Sequence, residues 1–382
     1  MPQSGWHCRQ LIRLALFLTA LLTSPVFAEQ GVSATKIMLG NSSPSTGSLA
    51  ELNGEYQSGA KLYFDRLNRD EGIHGRTVEL LTLDDGYDPA RTEENVKALI
   101  HTHKVFALFG VFGTGQNLRA LPVLTEARVP SFAPYTGADV LREPHNPYVF
   151  HLRASYGREI EAMIDHLVML GVTSIAVVHH PDAFGQAGVS AAEAALAKKQ
   201  RPPLTIVTPI AASGEGAGEV ADKVIAANPA AVIMVAAGRS PPALIKALRE
   251  RNAQPMLFGL SVVSSKQLVR ELGADAHGVV LAQVTPSPFR IDHPIVREYR
   301  RHAKEADLAY SYTALEGYIA ARTFSEALER AGKELTRARL MNALESLEGW
   351  DVGGLTLHFS PTRHVGLDYV DLSVVSHGRF SH

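Results

Sequence analysis

The sequence predicts an α/β protein built of two doubly wound lobes, and three observations predict it. Short apolar, β-branched runs alternate with segments of helical period from residue 36 onward, the pattern of βαβ units around a parallel sheet. The series occurs twice, once before residue 150 and again after it. The chain has 382 residues, and roughly 100–200 residues make one domain.

In the first series, residues 36–40 (KIMLG) are a buried-strand candidate. Residues 51–68 have helical spacing, with Leu52, Tyr56, Gly59, Ala60, Tyr63, Phe64 and Leu67 recurring at three and four. A strand is expected at 77–83. Asp88-Pro89 then opens a helix reaching about residue 102, because Asp caps free N–H groups and proline suits the first turn. Strand 106–110, helix 116–127 and strand 129–133 complete the series. The second series runs helix 159–170, strand 174–179, helix 185–199, strand 204–207, helix 219–227, strand 231–236, helix 242–251 and strand 256–260. The end of the chain differs. Helices at 295–306, 312–331 and 336–347 lie close together, and strands at 355–359 and 369–375 come last. Proline-rich joints stand at 142–147 and 285–288.

Composition removes several function classes. Lys plus Arg is 37 and Asp plus Glu is 39, a net charge of −2, so no basic face is available for nucleic acid. With 46% hydrophobic and 20% charged residues, the chain buries an ordinary core and is neither disordered nor a disulfide scaffold. Cys8 is the only cysteine, which excludes an internal disulfide, a Cys-based zinc site and a CxxC pair.

Residues 1–28 read as a cleaved secretory signal. Arg9 and Arg13 precede the apolar run LALFLTALL, Ser24-Pro25 breaks it, and Val26-Phe27-Ala28 places small residues at the cleavage site. The run is about half the ~20 residues a membrane span needs. Cys8 precedes the apolar run, where a lipoprotein cysteine would follow it. No later run is long enough to span a bilayer, so a free protein in an exported compartment is expected.

Open α/β sheets bind ligands at the carboxyl ends of their strands. Three such loops are small and rich in hydroxyls: 41–48, 110–117 and 133–138. Their N–H groups and hydroxyls suit a small anion such as a carboxylate, though Gly, Ser and Thr are also ordinary turn and cap residues. Gly113-Thr114-Gly115 lacks the third glycine of a dinucleotide loop, since Leu118 stands there, and there is no GxxxxGK[ST]. There is no GxSxG elbow and no HExxH. Neither an enzyme, a cofactor nor a metal site is expected. His179 and His180 with Asp182 are read as solvated or capping groups, because adjacent histidines in a loop point apart.

The chain from residue 29 resembles the Leu/Ile/Val-binding protein family, the type I periplasmic substrate-binding proteins of branched-chain amino acid ABC transporters. The resemblance rests on Pro44-Ser45-Thr46-Gly47, Gly54, Gly59-Ala60, Asn68, Glu71-Gly72-Ile73-His74-Gly75-Arg76 and Asp84-Asp85-Gly86-Tyr87-Asp88-Pro89. It continues in Phe109-Gly110, Val129-Pro130 and Asp182-Ala183-Phe184-Gly185. It implies two Rossmann-like lobes joined by a three-segment hinge, with crossovers near 150–153, 284–286 and 352–355. Lobe 1 would comprise 29–150 and 286–352, and lobe 2 would comprise 151–285 and 353–382. The ligand would lie between them.

By the same resemblance, Thr114, Tyr135 and Gly137 of the first lobe would hold a ligand carboxylate, with Thr136 beside Gly137 able to supply a hydroxyl. Phe184 of the second lobe would pack on the ligand. Ser261 would stand near the place where amino-acid binders carry an acid for the ligand ammonium, and Arg239 could pair a second carboxylate. The expected function is capture of a small carboxylate, an amino acid or an aromatic or aliphatic acid, and its delivery in the periplasm to ABC permease subunits. A ligand sensor or chemoreceptor partner is the alternative on the same fold, and an α/β enzyme acting on a small acid is the other.

Overall fold

Two sheets divide the chain in the computed structural model, which describes residues 29–376 and the backbone of a last strand at Arg379–Ser381. The expected export signal at 1–28 lies outside the described residues. The first sheet comprises β1 (Lys36–Ser43), β2 (Thr77–Asp84), β3 (Ala107–Phe109), β4 (Ser131–Phe132) and β5 (Val149–Phe150), in the order β2-β1-β3-β4-β5. All its pairings are parallel. Between these strands run α1 (Ala50–Arg69), α2 (Pro89–Lys97) and α3 (Thr114–Glu126). Asp88 caps α2 as its spacing predicts, its carboxylate accepting from the Ala90 N–H at 2.8 Å. The last turn predicted for this helix is instead a π turn, Ala98–Thr102.

The second sheet has the order β12-β11-β10-β9-β8-β6-β7. Its strands are β6 (Ile175–His179), β7 (Ile206–Pro209), β8 (Ala231–Val235), β9 (Met256–Gly259), β10 (Val280–Gln283), β11 (Asp371–Ser376) and β12 (Arg379–Ser381). The pairs from β7 to β10 are parallel, and β11 and β12 add antiparallel edges. The helices α4 (Tyr156–Met169), α5 (Ala183–Lys198), α6 (Ala217–Ala227), α7 (Ser240–Glu250) and α8 (Ser265–Leu272) cover it. The sequence reading contains neither α8 nor β10. It also differs at 355–359. Leu355, Leu357 and Phe359 are buried, which explains their strand-like alternation. Their backbone pairs locally instead of joining a sheet: Leu357 N–H donates to the Trp350 carbonyl and Gly349 N–H to the Leu357 carbonyl, both at 2.8 Å.

Three further helices, α9 (Pro294–Glu305), α10 (Tyr312–Ala331) and α11 (Arg337–Glu345), follow β10. Helix α10 is buried on most of its surface, with Glu316, Thr313, Thr323 and Ser325 buried among its apolar residues. It packs on α1, so it returns to the first sheet although the strand before it belongs to the second. The contact is backbone to backbone. A Cβ on Gly59 would lie 1.7 Å from the Ala314 carbonyl oxygen, and one on Gly317 would lie 2.0 Å from that of Tyr56. The chain therefore passes between the sheets three times: after β5, after β10, and between α11 and β11.

Candidate functional site

In both sheets the strand order reverses beside a central strand, between β1 and β3 in one and between β6 and β8 in the other. The crevice outside the carboxyl ends at such a reversal is where this architecture takes ligands. Here the two crevices face each other across a cavity. The first sheet's side contributes Leu49, Leu52, Tyr87, Phe112, Thr114 and Tyr135, and the second contributes Tyr156, Phe184, Ala237 and Val262. The cavity volume is about 20 Å³, and one water needs roughly 10–15 Å³.

Thr114 opens α3 after Gly113, whose φ of 94° only glycine adopts freely. Its hydroxyl lies 2.8 Å from that of Thr136, and both residues are buried. Thr114, at the first turn of a helix, lines the cavity with the Thr136 hydroxyl bonded to it, a geometry suited to an oxyanion. Tyr135 stacks on Phe112 with ring centroids 4.8 Å apart and meets Tyr56 at 4.9 Å. Gly137 does not line the cavity. A Cβ there would lie 2.7 Å from the Tyr156 ring and 2.8 Å from its N, so a threonine at this position would push Tyr156 out of the wall. Phe184 lies in the first turn of α5, 5.1 Å from the Tyr156 ring. The helix cap there, Asp182, accepts from Gly185 N–H at 3.0 Å and from the Tyr87 hydroxyl of the facing lobe at 3.2 Å.

The other two sequence candidates sit elsewhere. Arg239 is exposed at the start of α7 and is not among the cavity residues. Ser261 lies one residue before the lining Val262 and is engaged by its own protein: its N–H and hydroxyl donate to the two carboxylate oxygens of Glu159 at 2.8 and 2.9 Å, and Arg153 donates to its hydroxyl. The solvated reading of the histidine pair is overturned. His179 and His180 are buried, with His180 Nε2 2.8 Å from the Ser240 hydroxyl and His179 Nδ1 2.8 Å from the His180 carbonyl. No group of three or more His, Cys, Asp or Glu among the described residues is placed to hold a metal. No described helix is long and apolar enough to cross a membrane.

The sequence reading missed Tyr156, Leu49, Leu52, Phe112 and Val262 in the wall, and a charged group behind it. Arg153, in the first crossover, stands 3.6 Å from Glu159 of α4 and 3.6 Å from Glu316 of α10. Burial opposes the Arg153 charge, yet the nearby carboxylates hold its pKa above the ordinary arginine value. Burial raises the Glu159 carboxyl. It pushes Glu316 up to about 7, with Arg153 only partly offsetting it. Glu316 therefore binds its proton more tightly folded than unfolded. Its contribution to stability is fully present below the ordinary value of 4.5 and is lost as pH rises through about 7. Between pH 5 and pH 8 wild-type protein should lose about 1–3 kcal/mol more stability than Glu316→Gln in urea titrations. Parallel losses in the two proteins would contradict this.

A family model described as periplasmic binding protein matches residues 36–376. A solved substrate-binding periplasmic protein from Ralstonia solanacearum is 33% identical, with a TM-score of 0.84 over 90% of this chain and 98% of that one. A possible leucine/isoleucine/valine-binding protein from Rhodopirellula baltica SH 1 is 31% identical, with a TM-score of 0.85 over 94% of this chain and 97% of that one. An amino acid binding protein of Pseudomonas aeruginosa is 25% identical over 187 residues, 48% of this chain and 50% of that protein. The chain spans about half the length, or somewhat less, of the curated relatives it matches.

Proposed function

From the premise that this chain belongs to the periplasmic binding protein family, as its sequence resemblance implied, we propose that it is an exported receptor that closes its two lobes on a small carboxylate and presents it to an ABC permease. The observation that carries this reading is the cavity between the facing crevices, with Thr114 and the hydroxyl of Thr136 bonded to it on one side and an apolar, aromatic wall around the rest. The carboxylate sits at Thr114 on the first turn of α3, and Tyr135, Tyr156 and Phe184 pack on an aliphatic or aromatic body.

Lobe 1 comprises 29–150 and 286–352 and lobe 2 comprises 151–285 and 353–382. The packing of α10 on α1 supports this division. A space of about 20 Å³ admits such a ligand only when the lobes part, so opening breaks the contacts across the rim: Tyr87 to Asp182, Ser264 to Glu55, and the ion pair of Arg270 with Glu51. Ligand that touches both lobes favours the form in which they close around it.

A thermal-shift screen of aliphatic and aromatic acids and amino acids identifies the ligand, because one present at 100 times its Kd stabilises by ~2.7 kcal/mol. Calorimetry of Thr114→Val then tests the site. Loss of a hydrogen bond to a charged group should weaken binding by ~1.5–3 kcal/mol, about 10- to 150-fold. The unliganded variant should lose only about 1 kcal/mol, from the Thr136 hydroxyl left without its partner. Undiminished affinity would remove Thr114 from the site.

A further inference from the structure

Behind the cavity wall stands a set of buried charges that no apolar cleft needs for its packing. The Arg153 guanidinium lies 4.9 Å from the centre of the Tyr135 ring and 5.8 Å from that of Tyr156, and both rings line the cavity. Arg153 is 3% exposed, and its Nη1 has no hydrogen-bond partner among the described residues. It stands between the carboxyl groups of Glu159 and Glu316. Ser261, next to the lining Val262, is tied to both Arg153 and Glu159. A second buried guanidinium, Arg142, donates to the carbonyl oxygens of Arg153 and Ala154 at 3.1 and 3.3 Å. Two guanidinium groups thus accompany two carboxyl groups inside the chain.

We propose that Arg153 determines which ligands the cleft accepts: its guanidinium supplies the cation for Glu159 and Glu316 from within the protein, so the cleft takes carboxylates without an adjacent ammonium and rejects their α-amino twins. A ligand ammonium would leave water to find Glu159 and Glu316 already beside the Arg153 guanidinium, a large cost for an unpaired ion. It would also face a like charge through an aromatic wall, where screening is weak. Arg153 acts through the tyrosine rings and through the carboxylates it occupies, without touching the ligand. The inference rests on the carboxylate reading of the cleft.

Two ligand pairs test it by calorimetry on the purified exported protein: 4-methylpentanoate with leucine, and 3-phenylpropanoate with phenylalanine. The acid of at least one pair should bind wild-type protein at least 10-fold more tightly than its amino twin. Arg153→Met combined with Glu316→Gln removes one cation and one carboxyl together, which keeps the buried balance close to that of the wild type. It should move the ratio of the two affinities at least 10-fold towards the amino twin. Arg153→Lys keeps the cation and should retain the wild-type ratio. The ratio is unaffected by the fraction of folded protein, so a purely structural role for Arg153 leaves it fixed. Wild-type protein that takes leucine or phenylalanine as tightly as the acid would overturn the inference and leave the carboxylate cleft standing. So would an unchanged ratio in the double variant, or a lysine variant that shifts as far as the methionine one. Binding of no member of either pair would overturn the carboxylate reading itself, and this inference with it.

Discussion

Glu159→Ala is expected to lower the stability of the protein by about 3–5 kcal/mol, the usual cost of removing one partner from a buried ion pair. Glu159 is fully buried, and both carboxylate oxygens are occupied. One accepts the Ser261 N–H at 2.8 Å, and the other accepts the Ser261 hydroxyl at 2.9 Å and faces Arg153 at 3.6 Å. Alanine would leave a buried backbone N–H without a partner and Arg153 one counter-charge short. Glu159→Gln keeps an acceptor for Ser261 and should lose less. The change is read from the urea midpoint at pH 7. A loss below about 1 kcal/mol in the alanine variant would mean that solvent reaches this cluster and that its charges are not desolvated.

Gly59→Val should cost about 3 kcal/mol or more, the upper part of the range for overpacking a tight contact. The obstacle is backbone: a Cβ at residue 59 falls 1.7 Å from the Ala314 carbonyl oxygen, and a carbonyl cannot rotate away as a side chain does. Either α10 moves off α1 or the helix distorts, and Gly317 against the Tyr56 carbonyl at 2.0 Å leaves no slack one turn further on. Gly54 is the control. Nothing lies within 4 Å of the Cβ that would be added there, so Gly54→Ala should be neutral or slightly stabilising through helix propensity. Equal midpoints for Gly59→Val and wild type would show that α1 and α10 do not approach as closely as described.

What the sequence determined by itself follows from interactions between near neighbours. A period of 3.6 placed α10 at residues 312–331, where it is found. Aspartate before proline marked the start of α2, because the cap and the ring act within one turn. The α/β class and the two series followed from the alternation of such local patterns. The loop 110–117 could be singled out because it stands just past a buried strand, where a parallel sheet delivers its loops; Thr114 within it and Phe184 were singled out by the family resemblance.

Only the tertiary structure decided the rest, because the interactions concerned join residues far apart in the chain. The alternation in 355–359 records that Leu357 and Phe359 face a core. It does not record whether another strand is free to pair, and here the backbone closes on Trp350 instead. Gly137 reads by resemblance as part of the carboxylate site until Tyr156 is seen against it. Arg153, Glu159 and Glu316 look in sequence like any charged residues, whose ordinary place is solvent. They become a buried cluster only when the first crossover, α4 and α10 meet, and what offsets their desolvation comes from one another and from Ser261.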